Sequence, residues 1–282
     1  MNAKYMGYQL AQWLSAHLPT SSAFGCAERL ADFRWRWSAR DRAAVHTNLS
    51  MILNAPPPES ARLVREVFRN FGRYLVEFFT IHQVQHPEVH VEGYEHMRSA
   101  QRRHRGAILL TAHLGNWEVG AALIRRMGFP ITVVALPHDD PRVDHLFNRQ
   151  RLRCGVGVIP LGVGAAQRSL QSLRDGQFLG LLGDWEFSGK GLLVPVFKRQ
   201  ITLPRGPAVL SLRSQAPMVP TFLIREGIWK FRLCFEPPIW PLPQEGREVS
   251  VRTLTYMYAA AFERYLRRFP DQWLMFQAVA GA

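Results

Sequence analysis

From about residue 106 the chain alternates short apolar runs with longer amphipathic stretches, and this rhythm constrains the fold more than any other feature. Residues 107–112, 131–136, 157–161 and 178–182 are five or six residues long and almost wholly apolar, as strands buried on both faces must be. Between them, residues 116–127, 141–154 and 165–174 carry helical periodicity. The repeated strand–helix–strand unit predicts an α/β fold, a mostly parallel central sheet covered by helices. A helix over 206–214 follows, flanked by Pro204, Pro207 and Pro217. Segments 219–224 and 229–235 around Gly227 read as a hairpin-like pair, and 249–268 as a closing helix.

The first ninety residues read differently, as an N-terminal helical extension. After the Pro56-Pro57-Pro58 break, a helix over 59–82 sets Val64, Val67, Phe68, Phe71, Leu75, Phe78 and Phe79 on one face. Arg62, Arg65, Arg69 and Arg73 step along another, as a solvated stripe or a rest for lipid phosphates. Tyr5, Tyr8, Trp13, Trp35 and Trp37, with Arg34, Arg36 and Arg40, suit a membrane interface, where rings sit at headgroup depth and cations meet phosphates. The organisation expected is one domain over 1–282, with 1–90 helical and membrane-facing and 106–275 the α/β core. Thirty-five Lys and Arg stand against 22 Asp and Glu, a net charge of +13, which calls for an anionic partner. No zinc-finger, RNP-like or basic-helix pattern accompanies that charge, so nucleic acid is a poor candidate. There is no apolar run of about 18 residues and no secretory signal. Cys26, Cys154 and Cys234 are too far apart for a disulfide framework or zinc site, and read as reduced thiols.

The chemistry concentrates where the first core strand ends. His113 and Glu118, in His113-Leu114-Gly115-Asn116-Trp117-Glu118, lie between strand and helix, the usual place for ligands in an open α/β sheet. A neutral imidazole takes a proton from a hydroxyl, and a carboxylate beside it fixes the tautomer and supports the imidazolium. Asp184 and Glu186 follow the 178–182 strand at the same sheet edge. Gly189-Lys190-Gly191 then runs as a hinge into the apolar stretch 192–197, a candidate wall for an acyl groove. Arg205, at the start of the 206–214 helix, joins free backbone N–H groups that suit a phosphate or carboxylate. No G-x-S-x-G elbow is present, which argues against a serine hydrolase.

These blocks, in this order and spacing over roughly residues 60–275, resemble the bacterial lipid A late acyltransferases, the lauroyl and myristoyl transferases. Phosphatidylinositol mannoside acyltransferases belong to the same superfamily. The resemblance implies a glycerolipid-acyltransferase-like fold and an acyl donor, acyl carrier protein thioester or acyl-CoA. It also implies a glycolipid hydroxyl acceptor, a lipid A precursor first, with another glycolipid or lysolipid as the alternative. The expected place is the cytoplasmic face of the bacterial inner membrane. Because the N-terminus lacks a clear hydrophobic anchor, attachment is expected to be peripheral or monotopic. His113 and Glu118 map onto the family's H-x4-D/E pair as catalytic base and orienting acid. The family's basic position maps onto Arg149, with Arg151 and Arg153 competing, and its acidic pair onto Asp184 and Glu186. The second acid is commonly aspartate, whereas here it is Glu186. Lys190 and Arg205 complete the expected substrate contacts, and the backbone N–H near Gly115 is the expected oxyanion donor. No metal and no cofactor beyond the acyl co-substrate are expected. A non-catalytic lipid-binding protein is the rival from another class.

Overall fold

The structure, a computed structural model, describes residues 3–54, 57–101, 106–186, 188–241 and 246–279, so Pro56 of the proline break lies outside it. Helices α1 (Ala3–His17), α2 (Thr20–Trp37), α3 (Ala39–Leu53) and α4 (Pro57–Thr80) come first. Strand β1 (Glu88–Glu92) and helix α5 (Tyr94–Gln101) lead into the alternating core. The core runs β2 (Ala107–Thr111), α6 (Trp117–Arg126), β3 (Ile131–Ala135), α7 (Pro141–Arg153), β4 (Gly157–Pro160), α8 (Ala165–Arg174) and β5 (Phe178–Leu182). A hairpin of β6 (Leu192–Val196) and β7 (Arg199–Leu203) precedes α9 (Gly206–Ser214). Strands β8 (Met218–Gly227) and β9 (Lys230–Phe235), helix α10 (Arg247–Arg268) and a 3-10 turn at Pro270–Gln272 follow.

Among the described residues, seven strands form one sheet in the order β1-β9-β8-β2-β5-β3-β4. All its pairings are parallel except β8 with β9. The chain leaves β2 towards β3 and β4, then returns to insert β5 between β3 and β2, and later places β8 on the other side of β2. The carboxyl end of β2 is therefore where the connections part, the crevice in which open α/β sheets bind ligands. One face of the sheet packs on α5 and α6, the other on α8, α9 and α10.

The N-terminal helices form a further layer organised by α4, which touches α1, α2, α3 and α6. Phe78 of α4 stacks on Phe147 of α7, Phe79 meets the same ring edge-on, and Tyr74 packs on Trp117 of α6. Replacing one such buried phenylalanine by alanine costs about 3–5 kcal/mol. At Gly72 a Cβ would come within 2.8 Å of the Ala27 carbonyl oxygen, so glycine lets α2 and α4 cross at backbone contact.

Three expectations change. The arginine stripe of α4 is largely turned onto the chain's own acids. Arg65 and Arg69 both clamp Asp32 of α2, and Arg73 binds Glu28 and Glu66. Hydrogen bonds from the two guanidinium groups hold the Asp32 carboxyl far below the usual carboxylate range. The stretch 192–197 does not line the large cavity beside His113. Leu192, Val194 and Val196 alternate inward from the hairpin and join the core beside α10. Strand β1, which the apolar rhythm did not announce, is a half-exposed edge strand with only Val89 and Val91 facing inward.

Candidate active site

His113 stands just past β2 and Asp184 just past β5, and these two strands are hydrogen-bonded neighbours. The Thr111–Leu182 register brings both residues to one edge. The Nδ1 of His113 lies 2.9 Å from Asp184 Oδ1, and the His113 backbone N–H donates to Asp184 Oδ2 at 2.8 Å. With a carboxylate on Nδ1, that nitrogen carries the proton in the neutral ring and Nε2 is left as the acceptor. The imidazole is about one-fifth exposed, whereas Asp184 is buried. Burial would raise the Asp184 carboxyl. The charge and hydrogen bonds of His113, with one from Trp273, outweigh it and hold the carboxyl below its ordinary value.

The turn carrying His113 explains itself residue by residue. Gly115 sits at φ +64°, where a Cβ would fall 1.8 Å from the Leu223 carbonyl oxygen. Asn116 caps α6, its side-chain oxygen accepting from Val119 N at 3.2 Å. Its amide nitrogen donates to the buried Glu77 carboxylate at 2.7 Å.

Glu118 is not the partner of His113. It occupies the second residue of α6, where its carboxylate takes a forked pair of hydrogen bonds from Arg151 of α7 at 2.5 and 3.0 Å. Both side chains are nearly buried. Burial opposes the charge of Arg151, but the Glu118 carboxylate more than compensates and raises its pKa. Arg151 is therefore the inward member of the arginine trio. Arg149, two residues earlier on α7, is exposed and away from the cavity.

His113, Trp117, Glu118 and Arg151 open into a cavity of about 1010 Å³. Adjacent residues of one strand, Val133 with Val134 and Gly180 with Leu181, line it together. Neighbours on a strand point to opposite faces, so the cavity reaches both sides of the sheet. Under α6 it is enclosed by Leu109, Ile124, Ile131 and Leu223, all buried. Towards α8 and α9 it is more open, between Leu161, Ala166, Val209 and Leu210. Its walls suit an aliphatic chain. His138, also on the lining, is pushed towards its neutral form by burial and by the charges of Lys4 and Arg151.

The remaining expected contacts divide. Glu186 lines the cavity and its carboxylate accepts from the Ser188 backbone N–H. Lys190 is exposed and outside the lining. Arg205 pairs with Glu248 at the surface. The Gly115 N–H is not an oxyanion donor, since it is spent on the Gln272 carbonyl at 2.9 Å. Trp273 and Tyr74 escaped the sequence reading because a lone aromatic carries no periodicity or motif. Among the described residues no group of three or more His, Cys, Asp or Glu could hold a metal, and no helix is long and apolar enough to cross a membrane.

A buried acid, a partly exposed histidine and an apolar cavity together suit proton transfer beside a lipid chain, and similarity to known proteins points the same way. A family model described as bacterial lipid A biosynthesis acyltransferase matches residues 4–279. The phosphatidylinositol mannoside acyltransferase of Mycolicibacterium smegmatis is 26% identical over 284 residues, covering 96% of this chain and 90% of that protein. The lipid A biosynthesis palmitoleoyltransferase and lauroyltransferase of Escherichia coli are each 24% identical over 273 residues, covering 93% of this chain and 86% of theirs. The chain belongs to the bacterial lipid A biosynthesis acyltransferase family and is an acyltransferase.

Proposed function

We propose that this acyltransferase moves a fatty acyl group from a thioester, carried by acyl carrier protein or coenzyme A, to a hydroxyl of a glycolipid. A lipid A precursor is the first candidate acceptor. A phosphatidylinositol mannoside, the acceptor named for the mycobacterial relative, is the second. The observation that carries this reading is His113, paired with Asp184 at the mouth of a largely apolar cavity.

Nε2 of His113 takes the proton of the acceptor hydroxyl as its oxygen forms a bond to the thioester carbonyl carbon. The tetrahedral intermediate collapses by breaking the C–S bond, and the imidazolium returns its proton to the leaving thiolate. Ester and thiol are the products, and no acyl-enzyme forms. Asp184 holds the Nδ1 proton and offsets the imidazolium charge, so no metal or further cofactor is required by the chemistry. The aliphatic chain lies in the enclosed part of the cavity. Arg151, fixed by Glu118, presents positive charge to the phosphate of donor or acceptor.

The acceptor arrives from a membrane. Trp13 on α1 and Phe33 and Trp37 on α2 are 55%, 61% and 75% exposed, and Lys4, Arg36 and Arg40 are exposed close by in the chain. Rings and cations in this combination favour peripheral contact with anionic headgroups. Cytoplasmic acyl thioesters place the reaction at the cytoplasmic face of the inner membrane. The test is acyl transfer from labelled donors to purified glycolipids by wild type and His113→Ala. A loss of about 10²–10⁴-fold in kcat is expected with the fold intact. Wild-type rates in that variant would overturn the assignment.

A further inference from the structure

The turn that carries His113 is strapped along its length by the C-terminal segment 271–275. The Leu274 N–H donates to the His113 carbonyl at 2.7 Å, and the Gly115 N–H donates to the Gln272 carbonyl at 2.9 Å. Leu114 and Trp273 thereby form an antiparallel bridge. The strap is itself fixed. Gln272 exchanges hydrogen bonds with both backbone groups of Arg225 at 2.9 Å, and Asn70 of α4 donates to the Asp271 carbonyl at 2.9 Å. The Arg225 guanidinium closes on Glu77, a fully buried carboxylate that also accepts from Asn116. From this strap the buried Trp273 indole reaches inward, and Nε1–H donates to Asp184 Oδ2 at 2.8 Å.

We propose that Trp273 is a positioning residue for acyl transfer, acting through Asp184 on His113. The inference rests on the histidine mechanism above and adds a member to it. Asp184 has two oxygens and three N–H donors. Oδ2 is shared by the His113 backbone and the indole, which leaves Oδ1 for the imidazole Nδ1. The indole therefore selects the carboxylate rotamer that meets the ring. It also keeps the anion from holding a proton of its own in a buried place, where a lost donor is not replaced by water.

Other charged and titratable groups face the pair without replacing that donor. Tyr258 of α10 gives its hydroxyl to the Pro204 carbonyl. Burial, then the negative charges of Asp184 and Glu186, keep this phenol neutral across the working range. Glu186 accepts from the Ser188 backbone, and the Glu118–Arg151 pair is closed on itself. None of these can stand in for the indole N–H.

Trp273→Phe keeps an aromatic ring in the core and removes the N–H. The less stabilised carboxylate binds the shared proton more strongly, so the dyad as a unit releases it at higher pH. The acidic limb of the kcat/KM profile should move up by about one pH unit, so that on its acid side the rate falls by about tenfold relative to wild type. In an Asp184→Asn background the same change should have almost no further effect. A uniformly lower rate with an unmoved limb would mean packing alone and would sink the proposal. Should Trp273→Phe fail to fold, the wild-type enzyme still decides. The Trp273 indole N–H resonance in a pH titration should shift with the midpoint of the activity limb, and a resonance that stays still would count against it. His113→Ala separates the two levels. If that variant remains active, the histidine reading itself fails. If it is dead while Trp273→Phe keeps the wild-type limb, only the indole's role is lost.

Discussion

Two acidic side chains serve the same cavity, and they are held in opposite ways. Asp184 is paired with a histidine that is about one-fifth exposed, whereas Glu118 is paired with an arginine that is almost as buried as itself. The first pair contains an imidazole that can take up and release a proton, and it leaves one ring nitrogen open to a substrate. The second is a closed fork of two permanent charges. A proton can pass through the first pair, and the second can only set a field. Proximity to the active edge therefore does not assign a role, because the partner decides what a carboxylate can do.

The largest effect that tests this contrast is Asp184→Asn. The amide would present the wrong proton to Nδ1 and let the ring settle in the unproductive tautomer, at a cost of about 10³–10⁴-fold in kcat. Steady-state acyl transfer checks it. The same variant carries a stability signature. Asp184 binds its proton less tightly when folded, so its contribution is complete above the unfolded value and is lost as pH falls through the lower folded one. Chemical unfolding should show wild type losing its advantage over Asp184→Asn only below about pH 4. An advantage that faded instead around neutrality would contradict the ionised state assigned to Asp184.

Glu118→Gln should act on the other side of the contrast. It leaves the Arg151 charge buried with half a partner, which costs about 3 kcal/mol of stability. The denaturant midpoint should fall with its slope unchanged, while the pH profile of the surviving activity keeps its wild-type shape. If Glu118→Gln instead removed the acidic limb and left stability alone, Glu118 would be the partner of His113 and the contrast would collapse.

That mistake was open to a reader of the sequence, and its cause is physical. The apolar rhythm after residue 106 announced β2, β3, β4 and β5 because nearly every residue in them is apolar, from the buried β2 to the edge strand β4, which is only partly covered. Strand β1 stayed hidden, since an edge strand with Glu88, His90 and Glu92 towards water has no such run. His113 and Asp184 were both legible as strand-end residues. That they meet depends on β5 lying beside β2, a pairing across 71 positions that local spacing does not encode. The H-x4-E spacing is a local pattern. The turn at Gly115 and the cap at Asn116 come between its two residues, so they enter the cavity on different partners.

Helix phase supplies the smallest predicted effect and the finest test of the contrast. Arg149 and Arg151 lie on one helix, two residues and therefore roughly 200° apart. Arg151 turns inward onto Glu118, whereas Arg149 faces solvent away from the cavity. An exposed side chain of this kind contributes within about 0.5 kcal/mol, so Arg149→Ala should unfold and turn over almost as wild type does. Arg151→Ala should reproduce the stability loss of Glu118→Gln, because it strands the other half of the same pair. Pairing it with Glu118→Ala should cost less than the sum of the single changes, since neither variant then buries a lone charge. Thermal melting and acyl-transfer rates of the set read this out together. A large loss in Arg149→Ala with a silent Arg151→Ala would mean that α7 presents its other face to the substrate, and the fixed pair would lose its place in the site.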